Sequence, residues 1–303
     1  MYTILFSQLL KMLVYIAVGY FLAKIGLISA KNGAALSTLL LYVVLPCVIL
    51  RPYLNIERSR SGEVLLSLGM GVVLLALATG VALLLYRKWP VGNFSAAYSN
   101  AGFFGLPLIG GILGSDAVMY IAGFVAVLNI LQWTYGQVIL SHGQMEVTGK
   151  ELLKNPLLIA VCLGLIAFFV QLRLPQVVMD CIEGFAACNA PLAMVVLGIS
   201  MASAPLGEMF RQIKFYGVSG VRLLLIPGLS ILVLSLVPHA YNTMKLALLL
   251  AAAAPVGSNV VIYAQKWGAD GEAGGQIVCL STLLSMVTLP VVFLLASKIW
   301  GIG

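Results

Sequence analysis

Apolar residues run along the chain in long blocks, and short polar breaks separate the blocks. Most blocks hold about the 20 residues that an α-helix needs to cross the hydrocarbon core of a membrane, and none shows the alternation of a strand. We therefore predict an all-α polytopic membrane protein with ten transmembrane helices. The predicted spans are residues 3–23, 32–50, 63–86, 91–113, 115–140, 156–172, 176–203, 213–237, 243–266 and 273–299.

The composition agrees with this pattern. Of the 303 residues, 61% are apolar and 9% are charged, whereas soluble domains carry roughly 45–50% and about 25%. These values exclude a soluble domain, a disordered chain and a nucleic-acid binder. The net charge of +7 does not require an anionic partner, because the cytoplasmic loops of membrane proteins collect Lys and Arg.

The sequence carries no pattern typical of an enzyme or a metal site. The five cysteines are an odd number, lie in or beside apolar segments and form no C-x-x-C pair. Neither G-x-S-x-G nor H-E-x-x-H is present, so an intramembrane hydrolase is not indicated. We expect no catalytic residue, no metal and no cofactor.

A polar loop at the centre of the chain divides it into two halves. The loop covers 141–155 and separates 1–140 from 156–303, with five predicted spans on either side. An odd number of spans inserts the second half upside down relative to the first, which is the inverted-repeat arrangement of many secondary transporters. Prolines recur at similar offsets, since Pro46 precedes Pro191 by 145 residues and Pro107 precedes Pro255 by 148.

The basic residues of alternate loops predict the orientation in the cell (plasma) membrane. With both termini outside and 141–155 in the cytoplasm, the inner loops hold nine basic residues and the outer loops six, as the positive-inside rule favours. The inner set is Lys24, Lys31, Arg87, Lys88, Lys150, Lys154, Arg211, Lys214 and Lys266. The outer set is Arg51, Arg58, Arg60, Arg173, Lys245 and Lys298.

Two predicted spans contain residues that interrupt helices, in corresponding places of the two halves. The fourth span contains Asn100, Gly102 and Pro107, and the ninth contains Pro255, Ser258 and Asn259. We predict helices broken at the prolines, because broken helices in corresponding positions of two inverted halves indicate a substrate site at the midplane. The new helix N-termini would suit an anion. The alternative is a pair of proline kinks in ordinary helices.

Other polar residues inside spans could complete this site. Asn129 and Gln132 share a helical face, as do Thr282 and Ser285, although hydrogen bonds between helices would explain them equally well. Arg222 lies inside the eighth span, where it could attract a carboxylate, clamp a freed carbonyl, hold helices together or extend to the membrane surface. No Asp or Glu lies at mid-span, which argues against a cation/proton antiporter.

Several of these stretches together resemble one known family, the auxin efflux carriers, which include plant carriers and bacterial malate or malonate permeases. The matching stretches, spread over nearly the whole chain, are Asn100–Leu108, Leu45–Pro46, Pro191–Gly198, Arg222–Pro227 and Ser281–Pro290. The resemblance implies two inverted five-helix repeats whose fourth and ninth helices cross at their proline breaks. It also implies a scaffold of helices 1, 2, 6 and 7 and a transport unit of helices 3–5 and 8–10. The short central loop departs from the plant carriers and indicates a prokaryotic type.

Together, these features predict a secondary transporter that moves a small organic anion, most simply a carboxylate, by an elevator-type alternating-access mechanism. An anion-permeable channel and a carrier of a neutral or amphipathic metabolite are the alternatives. We place Pro46 and Pro191 on the scaffold side of the pocket, and expect the small residues from Gly198 to Ala204 to form a sliding surface. The expected partners are the anion and the lipid bilayer, with a homodimer left open.

Overall fold

The computed structural model describes residues 2–144, 154–203 and 206–302. In these residues the chain forms helices joined by short turns and loops, and the β-structure in them is one isolated bridge. The helices of the first half are α1 (Tyr2–Lys24), α2 (Ala30–Leu39), α3 (Leu45–Asn55), α4 (Ser61–Tyr86), α5 (Pro90–Ala97), α6 (Leu106–Leu113), α7 (Val118–Leu131) and α8 (Gln137–Leu140). Those of the second half are α9 (Pro156–Val170), α10 (Gln176–Ala187), α11 (Asn189–Ala202), α12 (Leu206–Met209), α13 (Ile213–Gly220), α14 (Ile226–Leu234), α15 (Asn242–Ala253), α16 (Asn259–Lys266) and α17 (Gly271–Trp300).

Seven helical segments of the described chain are long and apolar enough to cross a membrane. They are Thr3–Lys24, Asn32–Asn55, Arg58–Tyr86, Ser115–Leu140, Gln176–Ala202, Ile213–Leu234 and Gly271–Trp300. Two shorter apolar helices, Ala101–Leu113 and Pro156–Val170, lie between them in the chain. The chain is therefore an all-helical, multi-pass membrane protein. Most of the predicted central loop, 145–153, lies outside the described residues.

Three prolines follow wide helical turns instead of breaking a helix. The π turns are Leu40–Val44, Ala101–Gly105 and Val221–Leu225, and the second residue after each is Pro46, Pro107 or Pro227. Proline lacks an N–H group, and its ring clashes with the carbonyl one turn earlier in a regular helix. The wider π turn relieves that clash.

The fourth span is interrupted at 98–100, between the end of α5 and the π turn. Pro107 lies seven residues farther along, as the second residue of α6. The expectation that the chain leaves the helix at Pro107 is thus corrected. In the ninth span the interruption runs over 254–258 and does contain Pro255.

Glycines bring two helices into backbone contact. An added Cβ would lie 2.1 Å from the Val195 carbonyl oxygen at Gly19 and 2.0 Å from the Ile16 carbonyl oxygen at Gly198, so at each glycine one helix touches the backbone of the other. Small residues permit this close packing in membranes. Gly198, the first residue of the predicted sliding surface, is buried against α1, another helix of the predicted scaffold.

The helices pack in two groups, with α6 in the second, and contacts of α1 with α6 and of α7 with α3 and α9 connect them. In one group α1 lies against α11, and α3 lies against α9 and α10. In the other, α4 lies against α5 and α7, while α15, α16 and α13 surround α17. Gln8 of α1 joins the groups, since its Nε2 donates a hydrogen bond of 3.2 Å to the Pro107 carbonyl of α6.

Candidate functional site

The two helix interruptions pair with each other. Ser99 and Val256 form the antiparallel bridge, the Asn100 N–H donates to the Pro255 carbonyl at 2.7 Å, and the Gly257 N–H donates to the Tyr98 carbonyl at 3.0 Å. Backbone groups released from the helices thus satisfy one another, as groups away from water must. We call residues 98–100 and 254–258 the crossing.

Gly257 permits this close approach. A Cβ there would lie 3.2 Å from the Ser99 carbonyl oxygen and 3.3 Å from the Gln132 Nε2, which is tighter than ordinary van der Waals contact. A larger side chain would push the two segments apart. The glycine is therefore required by the neighbouring backbone.

Four helix ends meet at the crossing. α5 ends at Ala97 and α15 at Ala253, so both direct carbonyl groups toward it. The π turn that leads into α6 begins at Ala101 and α16 begins at Asn259, so both direct N–H groups toward it. The carbonyl ends carry partial negative charge and the N–H ends partial positive charge.

Arg222 binds both carbonyl ends. One guanidinium nitrogen, Nη1, donates to the carbonyls of Ala96 at 3.2 Å and Ala97 at 3.0 Å, and Nη2 donates to the Ala252 carbonyl. The side chain is 1% exposed and starts from the π turn of the eighth span. Among the interpretations that the sequence left open, these contacts favour the clamp on freed carbonyls.

Asparagines lie at the two N–H ends. Asn100 is buried and caps the π turn, because its Oδ1 accepts a hydrogen bond from the Phe103 N–H at 3.3 Å. Its buried Nδ2 has no hydrogen-bond partner among the described residues. Asn259 is half-buried, and its Nδ2 donates to the Gln132 Oε1 at 2.7 Å. One free donor thus remains beside the first N–H end.

The surface beside the N–H ends is partly open. Gly102, Phe103, Ser258 and Asn259 are half-buried, although their neighbours Ala101, Phe104, Gly257 and Val260 are buried. A Cβ at Gly102 would meet no atom within 4 Å. A small molecule therefore has room to approach both N–H ends here.

Ser281 contacts the crossing and was missed by the sequence pattern. Its hydroxyl accepts a hydrogen bond of 3.1 Å from the Val256 N–H and donates one to Val278 of its own helix. The predicted Thr282 and Ser285 are buried, and their hydroxyls donate to the Val278 and Thr282 carbonyls of the same helix, each at 2.7 Å. A search for every hydroxyl in this stretch, rather than one i, i+3 pair, would have included Ser281.

The other predicted residues have varied surroundings. Gln132 is buried at the crossing, whereas the Asn129 amide donates to Val125 at 2.8 Å and accepts from Asn155. Pro46 is half-buried and Pro191 is exposed. The structure therefore brings Asn100, Gln132, Pro255, Ser258 and Asn259 together, but gives Asn129 a separate set of partners.

The buried part of the described chain contains basic but no acidic side chains. No Asp or Glu is among the buried residues of the described chain, and no group of three His, Cys, Asp or Glu side chains in those residues could hold a metal ion. The arrangement offers hydrogen-bond donors, partial positive charge and one fixed cation.

Paired helix interruptions inside a multi-pass helical protein define a membrane transport protein. Consistent with this class, residues 4–293 match the family described as "Membrane transport protein". The chain belongs to that family, which confirms the resemblance to the auxin efflux carriers, and it is a transporter rather than an enzyme.

Two relatives align over most of the chain. One, from Rhizobium meliloti (strain 1021), is described as "Putative malonate transporter" and is 25% identical over 292 residues, covering 90% of both chains. The other, from Methanothermobacter thermautotrophicus (strain ATCC 29096 / DSM 1053 / JCM 10044 / NBRC 100330 / Delta H), is described as "Uncharacterized transporter". It is 26% identical over 301 residues, covering 94% of this chain and 96% of its own.

Proposed function

We propose that the protein is a secondary carrier that binds a small organic anion, a carboxylate, at the crossing. The observation that carries the proposal is the arrangement of the four helix ends. Arg222 occupies the carbonyl ends, while the two N–H ends adjoin partly open surface beside Asn100 and Asn259. Helix N-termini attract anions. The Rhizobium meliloti relative is described as a "Putative malonate transporter", and malonate is a dicarboxylate, which supports this class of substrate.

Ten helices in two inverted five-helix repeats are part of the proposal. Each half has an interrupted fourth helix, and the helix after each interruption begins next to a capping-type residue, Asn100 or Ser258. Asn100 and Ser258 are equivalent in place, because each is the last residue before the helix resumes, whereas Pro255 lies inside its interruption and Pro107 lies after the other one. The two interruptions pair through the Ser99–Val256 bridge, which supports the crossed arrangement.

The two packing groups support an elevator-type mechanism. In it, helices 1, 2, 6 and 7 form a scaffold, and helices 3–5 and 8–10 carry the crossing as one transport unit. The close α1–α11 contact at Gly19 and Gly198 would hold the scaffold together. Arg222 and the Asn259–Gln132 hydrogen bond would hold the transport unit together during its movement.

We also propose that both termini and the 51–63 loop face outward, that 141–155 faces the cytoplasm, and that the protein forms a homodimer. Orientation rests on the distribution of basic residues. The dimer is supported by α10, which has no buried residue and exposes Asp180 and Glu183. Glu183 Oε1 also lies 3.7 Å from Arg51 Nε of α3, and a second copy would cover this charged, exposed face.

Counterflow in proteoliposomes tests the carrier function. Purified protein is reconstituted, loaded with unlabelled malonate and given labelled malonate outside. We expect saturable uptake that internal malonate accelerates, because a carrier returns faster when loaded. Flux that rises linearly with concentration and is not accelerated would identify a channel, and saturable uptake of uncharged analogues alone would identify a carrier of neutral metabolites.

Two substitutions connect this uptake to the crossing. Asn100→Ser keeps an oxygen for the cap but removes the free Nδ2 donor, and Asn259→Ala removes the second amide. A hydrogen bond to a charged group contributes about 1.5–3 kcal/mol, so we expect either variant to bind malonate about tenfold or more weakly. Asn55→Ala, at an exposed site at the end of α3, is the control, and unchanged binding by both crossing variants would place the substrate elsewhere.

A further inference from the structure

The charges at the crossing can be counted. Arg222 is the buried cation there, and the other buried cation of the described chain, Lys245, lies eight residues before the end of α15. Its Nζ donates to the Val237 carbonyl at 3.3 Å and lies 4.5 Å from the Trp300 ring centroid. Since eight helical residues span about 12 Å, Lys245 is distant from the helix ends at the crossing. Within the described residues, no buried Asp or Glu balances Arg222.

The carbonyl ends balance Arg222 instead. A helix end carries a partial charge of about half an elementary charge, so two carbonyl ends together match the single positive charge that contacts both. The two N–H ends then leave about one positive equivalent, which nothing charged in the described interior occupies. The free Nδ2 of Asn100, a neutral donor in a side chain that is 5% exposed, adds a hydrogen bond there but no charge.

We propose that the crossing accepts a single negative charge per substrate molecule and that Arg222, without touching the substrate, sets this valence. A second negative charge would lie unpaired at a site of low dielectric, where an isolated charge is costly. A dicarboxylate such as malonate therefore enters in its singly protonated form. The proton travels on the substrate, so no protein carboxylate is needed. This inference rests on the proposed carrier function.

The pH dependence of uptake tests the valence. The first charge of a dicarboxylate raises the pKa of its second carboxyl. Above that pKa, the concentration of the singly charged form falls by about tenfold per pH unit. With equal pH on both sides, we expect wild-type malonate uptake to decline in the same proportion. Monomethyl malonate, whose charge stays at one over this range, should show nearly constant uptake. That control shows that the substrate titrates and the protein does not.

The membrane potential gives a second, independent readout. In wild-type proteoliposomes with a tenfold gradient of monomethyl malonate, net flux should stop near 59 mV, as for one charge. With malonate at low pH and a tenfold gradient of its singly charged form, net flux should stop at the same potential. Malonate uptake that stays constant or rises with pH, or a balance potential near 30 mV for two charges, would overturn the proposal.

Variants of Arg222 test its role as a positioning residue. Arg222→Lys keeps the charge but has one nitrogen in place of the two that contact the carbonyl ends, so we expect a lower rate with the pH profile of malonate uptake unchanged. Arg222→Gln leaves the carbonyl ends unbalanced, so monomethyl malonate should bind about tenfold or more weakly, while the affinity for the uncharged malonamide falls less.

Equal losses of affinity for charged and uncharged ligands would contradict the role of Arg222 in balancing charge. If Arg222→Gln fails to fold, the wild-type measurements still decide the valence. Absence of saturable uptake of any of these carboxylates would instead refute the carrier function itself.

Discussion

At the residue scale, the crossing depends on side chains whose partners are far away in the chain. The Arg222 carbonyl partners Ala96 and Ala97 are 126 and 125 residues away, and the Ser281 partner Val256 is 25 residues away. These tertiary contacts favour the carbonyl clamp among the roles that the sequence left open for Arg222. The same chemistry that makes a guanidinium attract a carboxylate lets it bind carbonyl oxygens.

Gly257 offers a direct test of the paired interruptions. A methyl group there meets backbone and Gln132 atoms at 3.2–3.4 Å, so we expect Gly257→Ala to lower stability by about 1–3 kcal/mol, in the range of overpacked sites. We expect its malonate uptake to decline by more than the loss of folded protein alone would explain. Thermal unfolding in detergent and counterflow measure the two effects.

Gly228 provides the matched control, because a Cβ at this helical position meets nothing within 4 Å. Gly228→Ala should leave unfolding unchanged or raise stability by about 0.5–1 kcal/mol, since alanine favours a helix over glycine. If the two variants unfold at the same temperature, Gly257 is not under the constraint described.

At the element scale, the hydrophobic pattern predicts most helices but not where they are interrupted. The predicted span at 63–86 matches α4 closely, because a long apolar run has one stable structure in a membrane. Pro107 was misleading, since proline removes a hydrogen bond at any position but a π turn can absorb the clash. The chain leaves the helix at 98–100, where the Val256 segment replaces the lost hydrogen bonds, and one sequence window does not show that partner.

The α1–α11 contact gives a prediction at this scale. A Cβ at Gly198 would lie 2.0 Å from the Ile16 carbonyl oxygen, so Gly198→Ala must push two helix backbones apart. We expect a marked decrease in unfolding temperature. In the protein that remains folded, malonate binding and malonate transport should be reduced by the same factor. Slowed transport with unchanged stability and binding would show instead that this surface slides.

Gly184→Ala is the corresponding control on a neighbouring helix. Gly184 lies in α10, where a Cβ meets nothing within 4 Å. The same substitution should therefore leave unfolding and transport near wild type. A comparable decrease in both variants would indicate a general sensitivity of these helices rather than a specific backbone contact.

At the scale of the whole molecule, the same pairing that builds the site also constrains the topology. The crossing requires that the fourth and ninth spans enter the membrane deeply enough for their interruptions to meet. Composition predicts the membrane class, and the loops predict an orientation. Neither predicts which helices pack together, because in lipid that choice depends on small contacts such as those of Gly19 and Gly198.

Cysteine labelling tests this topology. In a protein whose five native cysteines are replaced by serine or alanine, single cysteines are placed at the exposed positions Ser59 and Gln144. Three spans separate these positions: α4, the interrupted fourth span and the fifth span that contains α7. We expect an impermeant maleimide to label Ser59→Cys in intact cells, and to label Gln144→Cys only after the membrane is opened. Uptake by each single-cysteine protein provides the control that the variants remain native.

The reverse labelling pattern would keep the odd number of spans and invert the orientation, which would show that the orientation predicted from the basic residues was wrong because of the basic 51–63 loop. Labelling of both positions from one side would mean an even number of crossings, and the inverted repeat would then be refuted together with the elevator mechanism that depends on it.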